Sequence, residues 1–229
     1  MDYLNYGKQV QHKPQGFNAS TGDGLVQLFP IPVLICPYSV DYTKELEWIC
    51  KQEYKKNNDN RWGSIINRQS EDTFILDKPE MSRVKQFIEA KLNEYVINIM
   101  GSDSEMVITQ SWLNKSGKGE SHHEHRHPNS MISGVWYPQI HEKLPPIQFT
   151  NIHQRDVELS IKNYNKFNSQ NCLFPMKRGE LILFPSNLYH SVPVNKSDEE
   201  RISLSFNTWC KGSIGKKETL TYLPLERCV

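Results

Sequence analysis

No charge of either sign dominates this sequence: 27 Lys and Arg stand against 26 Asp and Glu, for a formal net charge of +1. Without a basic excess nothing global draws the chain to phosphate backbones or anionic lipid, so neither nucleic acid nor a membrane surface is an expected partner. No apolar run reaches the length of a membrane span, and the polar stretch from Met1 to Asn18 lacks the apolar centre of a secretion signal. A soluble, unsecreted, cytoplasmic protein is expected. The five cysteines, Cys36, Cys50, Cys172, Cys210 and Cys228, are odd in number, widely spaced and free of any C-x-x-C pair. That spacing argues against a disulfide framework and against a zinc ribbon, leaving buried, reduced thiols as the expectation. Internal repeats and low-complexity tracts are missing too, which excludes a solenoid.

What is present is the composition of one globular domain: 229 residues, 37% hydrophobic, 23% charged and 10% aromatic. Residues 1–24, with Gly16, Gly22 and Gly24 among polar neighbours, read as a loose arm, and residues 25–229 as a single domain. The β-branched segment from Val26 to Cys36 contains two prolines, which predicts an edge or interrupted strand. Tyr42, Leu46, Ile49 and Cys50 recur at helical spacing after Asp41, a candidate N-cap. A longer helix is predicted by the face Val84, Phe87, Ile88, Leu92, Tyr95, Val96 and Ile99, entered through Asp77, Pro79 and Glu80 and stopped at Gly101. Short strand-like runs follow, Met106 to Asn114, Met131 to Tyr137, Ile147 to Asn151, Glu180 to Pro185 and Ile202 to Cys210, with polar loops from Lys115 to Glu120 and His153 to Gln170. Two helices ahead of many short strands predict an α+β fold with the helices outside a sandwich or barrel.

Four of the eight histidines crowd into Ser121-His122-His123-Glu124-His125-Arg126-His127-Pro128. In an extended chain alternate residues share a face, so His123, His125 and His127 would point one way and His122, Glu124 and Arg126 the other. Two imidazoles at i and i+2 can grip one ion, and imidazole suits iron, zinc, copper and nickel. A histidine run alone is equally the mark of a solvated polar loop. A second pattern downstream lifts the metal reading: Gly179-Glu180-Leu181-Ile182-Leu183-Phe184-Pro185, then His190, then Arg201-Ile202-Ser203-Leu204-Ser205-Phe206.

With these residues in view, the chain resembles the Fe(II)- and 2-oxoglutarate-dependent dioxygenases from about Leu28 to Trp209. Within them it is similar to a branch with H-x-H-P followed by S-G and an aromatic-tyrosine pair, here His125-Arg126-His127-Pro128 and Ser133-Gly134-Val135-Trp136-Tyr137. The resemblance implies a double-stranded β-helix of jelly-roll or cupin-like form and a hydroxylase that releases succinate and carbon dioxide. It also implies Fe(II) on His125, His127 and His190, with His127 where the superfamily has a carboxylate. Three neutral ligands would make metal affinity depend on the dianionic cosubstrate. A two-histidine site with water, or one using His123 with His125, stays open, and Glu124 is the nearest carboxylate. The resemblance further implies that Arg201 meets the far carboxylate of 2-oxoglutarate through two parallel hydrogen bonds, with Ser203 sharing its face and Tyr137 and Asn114 as further contacts.

The competing reading of Arg201 is a surface arginine paired with Glu199 or Glu200. Rival functions are a cupin-like isomerase or sensor, a jelly-roll interaction protein, and a zinc hydrolase built on the same histidines. The substrate may be read no further than a peptidyl side chain or a small metabolite, and a homodimer is compatible with the sequence. Trp48, Trp62, Trp112 and Trp209 read as packing residues, and His12, His141 and His153 as solvent-exposed. Imidazole must be neutral to bind a metal, so loss of the ion is expected below roughly pH 6.

Overall fold

The computed structural model describes residues 15–18, 23–25, 28–56, 67–151 and 160–225. His12, Trp62, His153 and Cys228 lie outside them. The chain divides into two compact units, Met1–Ile31 and Pro32–Val229. In the first, β1 (Gln15–Asn18) pairs antiparallel with β2 (Asp23–Leu25).

The second unit opens on β3 (Leu34–Pro37), an edge strand that Pro30 and Pro32 confine to four residues of the longer run predicted. Helix α1 (Thr43–Cys50) follows, with the Asp41 carboxylate accepting the Thr43 N–H at 3.0 Å. Two short strands, β4 (Tyr54–Lys56) and β5 (Arg68–Ser70), precede α2 (Ser82–Tyr95). Val84, Ile88, Leu92 and Tyr95 are buried as the helical spacing predicts, while Ile99 is exposed on a π-helical turn, Val96–Met100, that Gly101 closes at φ +65°. Asp77 does not cap this helix: a 3-10 turn, Pro79–Met81, intervenes, and its carboxylate accepts from Lys85 at 2.8 Å.

Eight strands follow: β6 (Met106–Ser116), β7 (His122–His125), β8 (Ile132–Gln139), β9 (Ile147–Thr150), β10 (Asn171–Phe174), β11 (Glu180–Pro185), β12 (His190–Val192) and β13 (Arg201–Cys210). They make a seven-stranded antiparallel sheet, β3-β11-β8-β13-β6-β5-β4, and a four-stranded one, β10-β9-β12-β7. Strand β6 runs through Lys115 and Ser116, so the loop predicted from Lys115 is only the turn after Ser116.

Alternation on the large sheet separates two kinds of interior. Leu113, Trp136, Leu181, Leu183, Ile202, Leu204 and Phe206 pack with Ile49, Val84, Ile88 and Leu92 of the helices. On the other face Val135, Tyr137, Ile182 and Phe184 pack with Ile147 and Phe149 of the small sheet. The polar set of β13, Arg201, Ser203 and Ser205, also faces inward and is buried. A strand alternating apolar and polar ordinarily has one wet face; here the polar face is the wall of a cavity between the sheets.

Gly134 shows how closely the helix-side face is filled. A Cβ there would lie 2.2 Å from Phe206 Cζ and 2.7 Å from Leu183 Cδ2. Gly134→Ala should therefore cost about 1–3 kcal/mol through overpacking, read as a lower urea midpoint at unchanged slope.

Four described cysteines are free thiols. Cys36 and Cys210 are buried as expected, but Cys50 and Cys172 are exposed, Cys50 at the end of α1 and Cys172 on the edge strand β10. Among the described residues no helix is long and apolar enough to cross a membrane.

Candidate metal and cosubstrate site

The histidine run enters the small sheet as β7, and His190 begins β12 directly opposite, its backbone in register with His125. His127 lies just beyond the end of β7, held by a hydrogen bond from its N–H to the Ser186 carbonyl at 2.9 Å. One ligand atom each from His125, His127 and His190 falls within 4.8 Å of the other two. The described residues thus bring together the three imidazoles expected from the two distant stretches of chain. Glu124 does not join them: it is exposed and accepts a hydrogen bond from the Thr150 hydroxyl.

The outward ring nitrogens are committed. His125 Nδ1–H donates to the His123 carbonyl at 2.8 Å, and His190 Nδ1–H to the Leu188 carbonyl at 3.0 Å. His127 Nδ1 lies 2.6 Å from Asn207 Oδ1 and 2.8 Å from Ser133 Oγ. A carbonyl can only accept, so His125 and His190 carry their proton on Nδ1 and direct the Nε2 lone pair inward, the arrangement of metal-ligating histidines. His127 Nε2 lies 3.3 Å from His125 Nε2. Two nitrogens about 2.1 Å from one ion and at right angles stand about 3.0 Å apart, so the residues fit a first-row metal ion with little adjustment.

Burial holds these rings neutral. It lowers the pKa of His125, brings that of His127 down to about 4, and with His125 and His127 beside it pushes His190 well below its ordinary value. A histidine with a depressed folded pKa takes up protons on unfolding. Its contribution to stability is thus complete above the unfolded value near 6.5 and is lost as pH falls towards the folded one. Metal-free protein should lose stability steadily from about pH 6.5 to about 4, followed by thermal melts. The onset of metal loss likewise moves below the pH 6 that free histidine would give, because the buried rings resist protonation.

Ser133 and Asn207, to which the sequence reading gave no role at the site, hold the outer nitrogen of His127. Ser133 Oγ also bonds Ser186 Oγ at 2.7 Å, so His127 stands on two buried hydroxyls and the half-buried Asn207 amide. Asn207→Ala should weaken Fe(II) binding about 10- to 100-fold, the range seen when an outer partner of a ligating histidine is removed, measured by competition with a chromogenic chelator.

Arg201, 3% exposed, lines the same cavity, beside Tyr137, Ser203 and Asn114. It gives one hydrogen bond, to Ser203 Oγ at 3.2 Å, and its guanidinium lies 5.1 Å from the centre of the Tyr137 ring. Glu200 is instead engaged by Arg68 and Lys115, and Glu199 by His141, so the surface pairing does not form. Burial lowers the Arg201 pKa and raises that of Tyr137 to about 12. Arg201 Nε, the Tyr137 hydroxyl and Trp112 Nε1 are all buried without a hydrogen bond of good geometry. Among the described residues no acidic one lines the cavity. Unmatched donors around a buried cation are the complement of an anion.

Asn114 is more fully used. Its oxygen accepts from Asn67 at 3.0 Å and Gln69 at 3.3 Å, and its nitrogen donates to Ser205 at 2.9 Å. Trp112, expected only to pack, lines the cavity 5.7 Å from the His127 ring. Its spacing with Asn114 on β6 was the available signal.

Three converging imidazoles and a buried arginine thus share one cavity between two antiparallel sheets, the arrangement of a double-stranded β-helix. Residues 110–207 match the family model for 2OG-Fe(II) oxygenases. No curated protein matches the chain in sequence. Among solved structures, an oxidoreductase of the 2OG-Fe(II) oxygenase family from Burkholderia pseudomallei is 11% identical, over 77% of this chain and 83% of its own, with a TM-score of 0.55. HygX from Streptomyces hygroscopicus, with nickel, 2-oxoglutarate and hygromycin B bound, is 10% identical over 78% and 82% with a TM-score of 0.55. A Pseudomonas putida prolyl-4-hydroxylase is 12% identical over 79% and 92% with a TM-score of 0.52. The likeness to these solved structures shows a shared fold, the double-stranded β-helix.

Proposed function

We propose that His125, His127 and His190 hold Fe(II), that Arg201 holds the far carboxylate of 2-oxoglutarate, and that the protein hydroxylates a C–H bond of a small-molecule or peptidyl substrate. The observation that carries the cosubstrate assignment is the burial of Arg201 with no acidic partner among the described residues, in a cavity shared with the three imidazoles. When bound, iron and 2-oxoglutarate would activate dioxygen, the oxidant, one oxygen atom of which goes to the product and the other to succinate as carbon dioxide is released.

The chain's own contribution is binding, orientation and exclusion of water. A guanidinium meets a carboxylate with two parallel hydrogen bonds, which fixes the cosubstrate's direction as well as its charge. Ser203 holds one guanidinium nitrogen in place, and the Tyr137 hydroxyl adds a donor beside it. Phe184 closes the apolar side of the site, its ring 4.9 Å from that of His190. Three imidazoles bring no negative charge, so the dianion neutralises the ion, and Fe(II) should bind more tightly with 2-oxoglutarate than alone.

The test is anaerobic addition of Fe(II) and 2-oxoglutarate to the purified protein. A visible metal-to-ligand charge-transfer band, followed under oxygen by succinate formation, is expected. A metal-loaded protein that gives neither would remove the oxygenase reading and leave a metal-binding protein of another kind.

A further inference from the structure

His122 is the one imidazole in the cavity without a role in this reading. A regular β7 would turn it away from His125, since successive side chains alternate between faces. The register with β12 is not regular: His190 pairs with His125 and Val192 with His122, two steps on one strand against three on the other. The extra residue is a β-bulge, a feature that re-aims a side chain and occurs often beside active sites. His122 is thereby turned inward, where its ring stacks on that of His125 with centroids 4.4 Å apart and planes at 24°.

It lines the same cavity as Arg201, yet stands outside the group of three whose ligand atoms converge. Its charged and titratable neighbours are His125, His123, His190 and Arg201, none of them an acceptor with negative charge. An anion bound in the cavity would offer a ring N–H in this place a charged acceptor.

We propose that His122, delivered by the bulge in β7, is a cosubstrate-binding residue whose ring N–H donates to a carboxylate oxygen of bound 2-oxoglutarate. This rests on the assignment of the cavity to 2-oxoglutarate. It adds a contact from the small sheet to those that Arg201 and Tyr137 make from the large one.

The experiment uses the full chain and two variants. His122→Phe keeps a ring to stack on His125 and removes both nitrogens; His122→Asn gives up the ring and keeps a donor. Fe(II) affinity without cosubstrate is measured by chelator competition, and 2-oxoglutarate affinity by anaerobic titration of the charge-transfer band. For His122→Phe we expect Fe(II) affinity within about threefold of the parent and a 2-oxoglutarate Kd raised about tenfold or more, with His122→Asn between the two. Unchanged 2-oxoglutarate affinity in His122→Phe, against a parent that shows the band, overturns the proposal alone. Loss of Fe(II) binding without cosubstrate also overturns it, by making His122 part of the metal site. A parent with no band overturns the underlying reading, and this proposal with it.

Discussion

His190→Ala is expected to abolish stoichiometric Fe(II) binding, with affinity reduced by more than about 100-fold. Removing only an outer partner of a ligating histidine costs 10- to 100-fold, and His190 is placed as a ligand itself. Its ring is 4% exposed, and the Leu188 carbonyl fixes which nitrogen points inward. Among the described residues no carboxylate stands ready to replace it: Glu124 is exposed and bonded to Thr150, and no acid lines the cavity. His125→Ala should behave alike. Metal content after anaerobic reconstitution and desalting is the measurement, with circular dichroism confirming the fold. Equal metal content in variant and parent would refute the ligand assignment.

Arg201→Met should move two observables in opposite directions. Truncating one partner of a buried charge pair typically costs 2–5 kcal/mol, so the Kd for 2-oxoglutarate should rise by about 30-fold to well above 1,000-fold. The metal-free, cosubstrate-free protein should lose nothing and gain up to about 1–4 kcal/mol, because a buried ion without a counter-charge is replaced by an apolar chain of similar length. Fe(II) content should stay as in the parent. An arginine kept for structure alone would give the reverse, a lower melting temperature with cosubstrate affinity intact. Calorimetric titration with 2-oxoglutarate and thermal melts of the metal-free protein decide between these.

Much of this site could be read from residue order. The spacing of His125, His127, His190 and Arg201 pointed to the residues that the fold brings to one cavity, and the apolar face of α2 was plain because Val84, Phe87, Ile88, Leu92 and Tyr95 kept one period. The parts missed have physical reasons. His122 was assigned outward because alternation assumes a regular strand, and a bulge of one residue leaves no mark in composition. Trp112 looked like packing because a cavity wall and a core wall use the same alternation. Ser133 and Asn207 are small polar residues on strands, indistinguishable from solvent-facing ones until the facing sheet covers them. Strands β4, β5, β10 and β12 have three or four residues each, too few to show a period of two.

Anomalous diffraction at the iron edge, from crystals grown anaerobically with Fe(II) and 2-oxoglutarate, tests the centre of this account. A single peak within bonding distance of the Nε2 atoms of His125, His127 and His190 is predicted, on the side of the cavity that leads to Arg201. A peak bound to only one of these rings, or one held by Glu124, would contradict it.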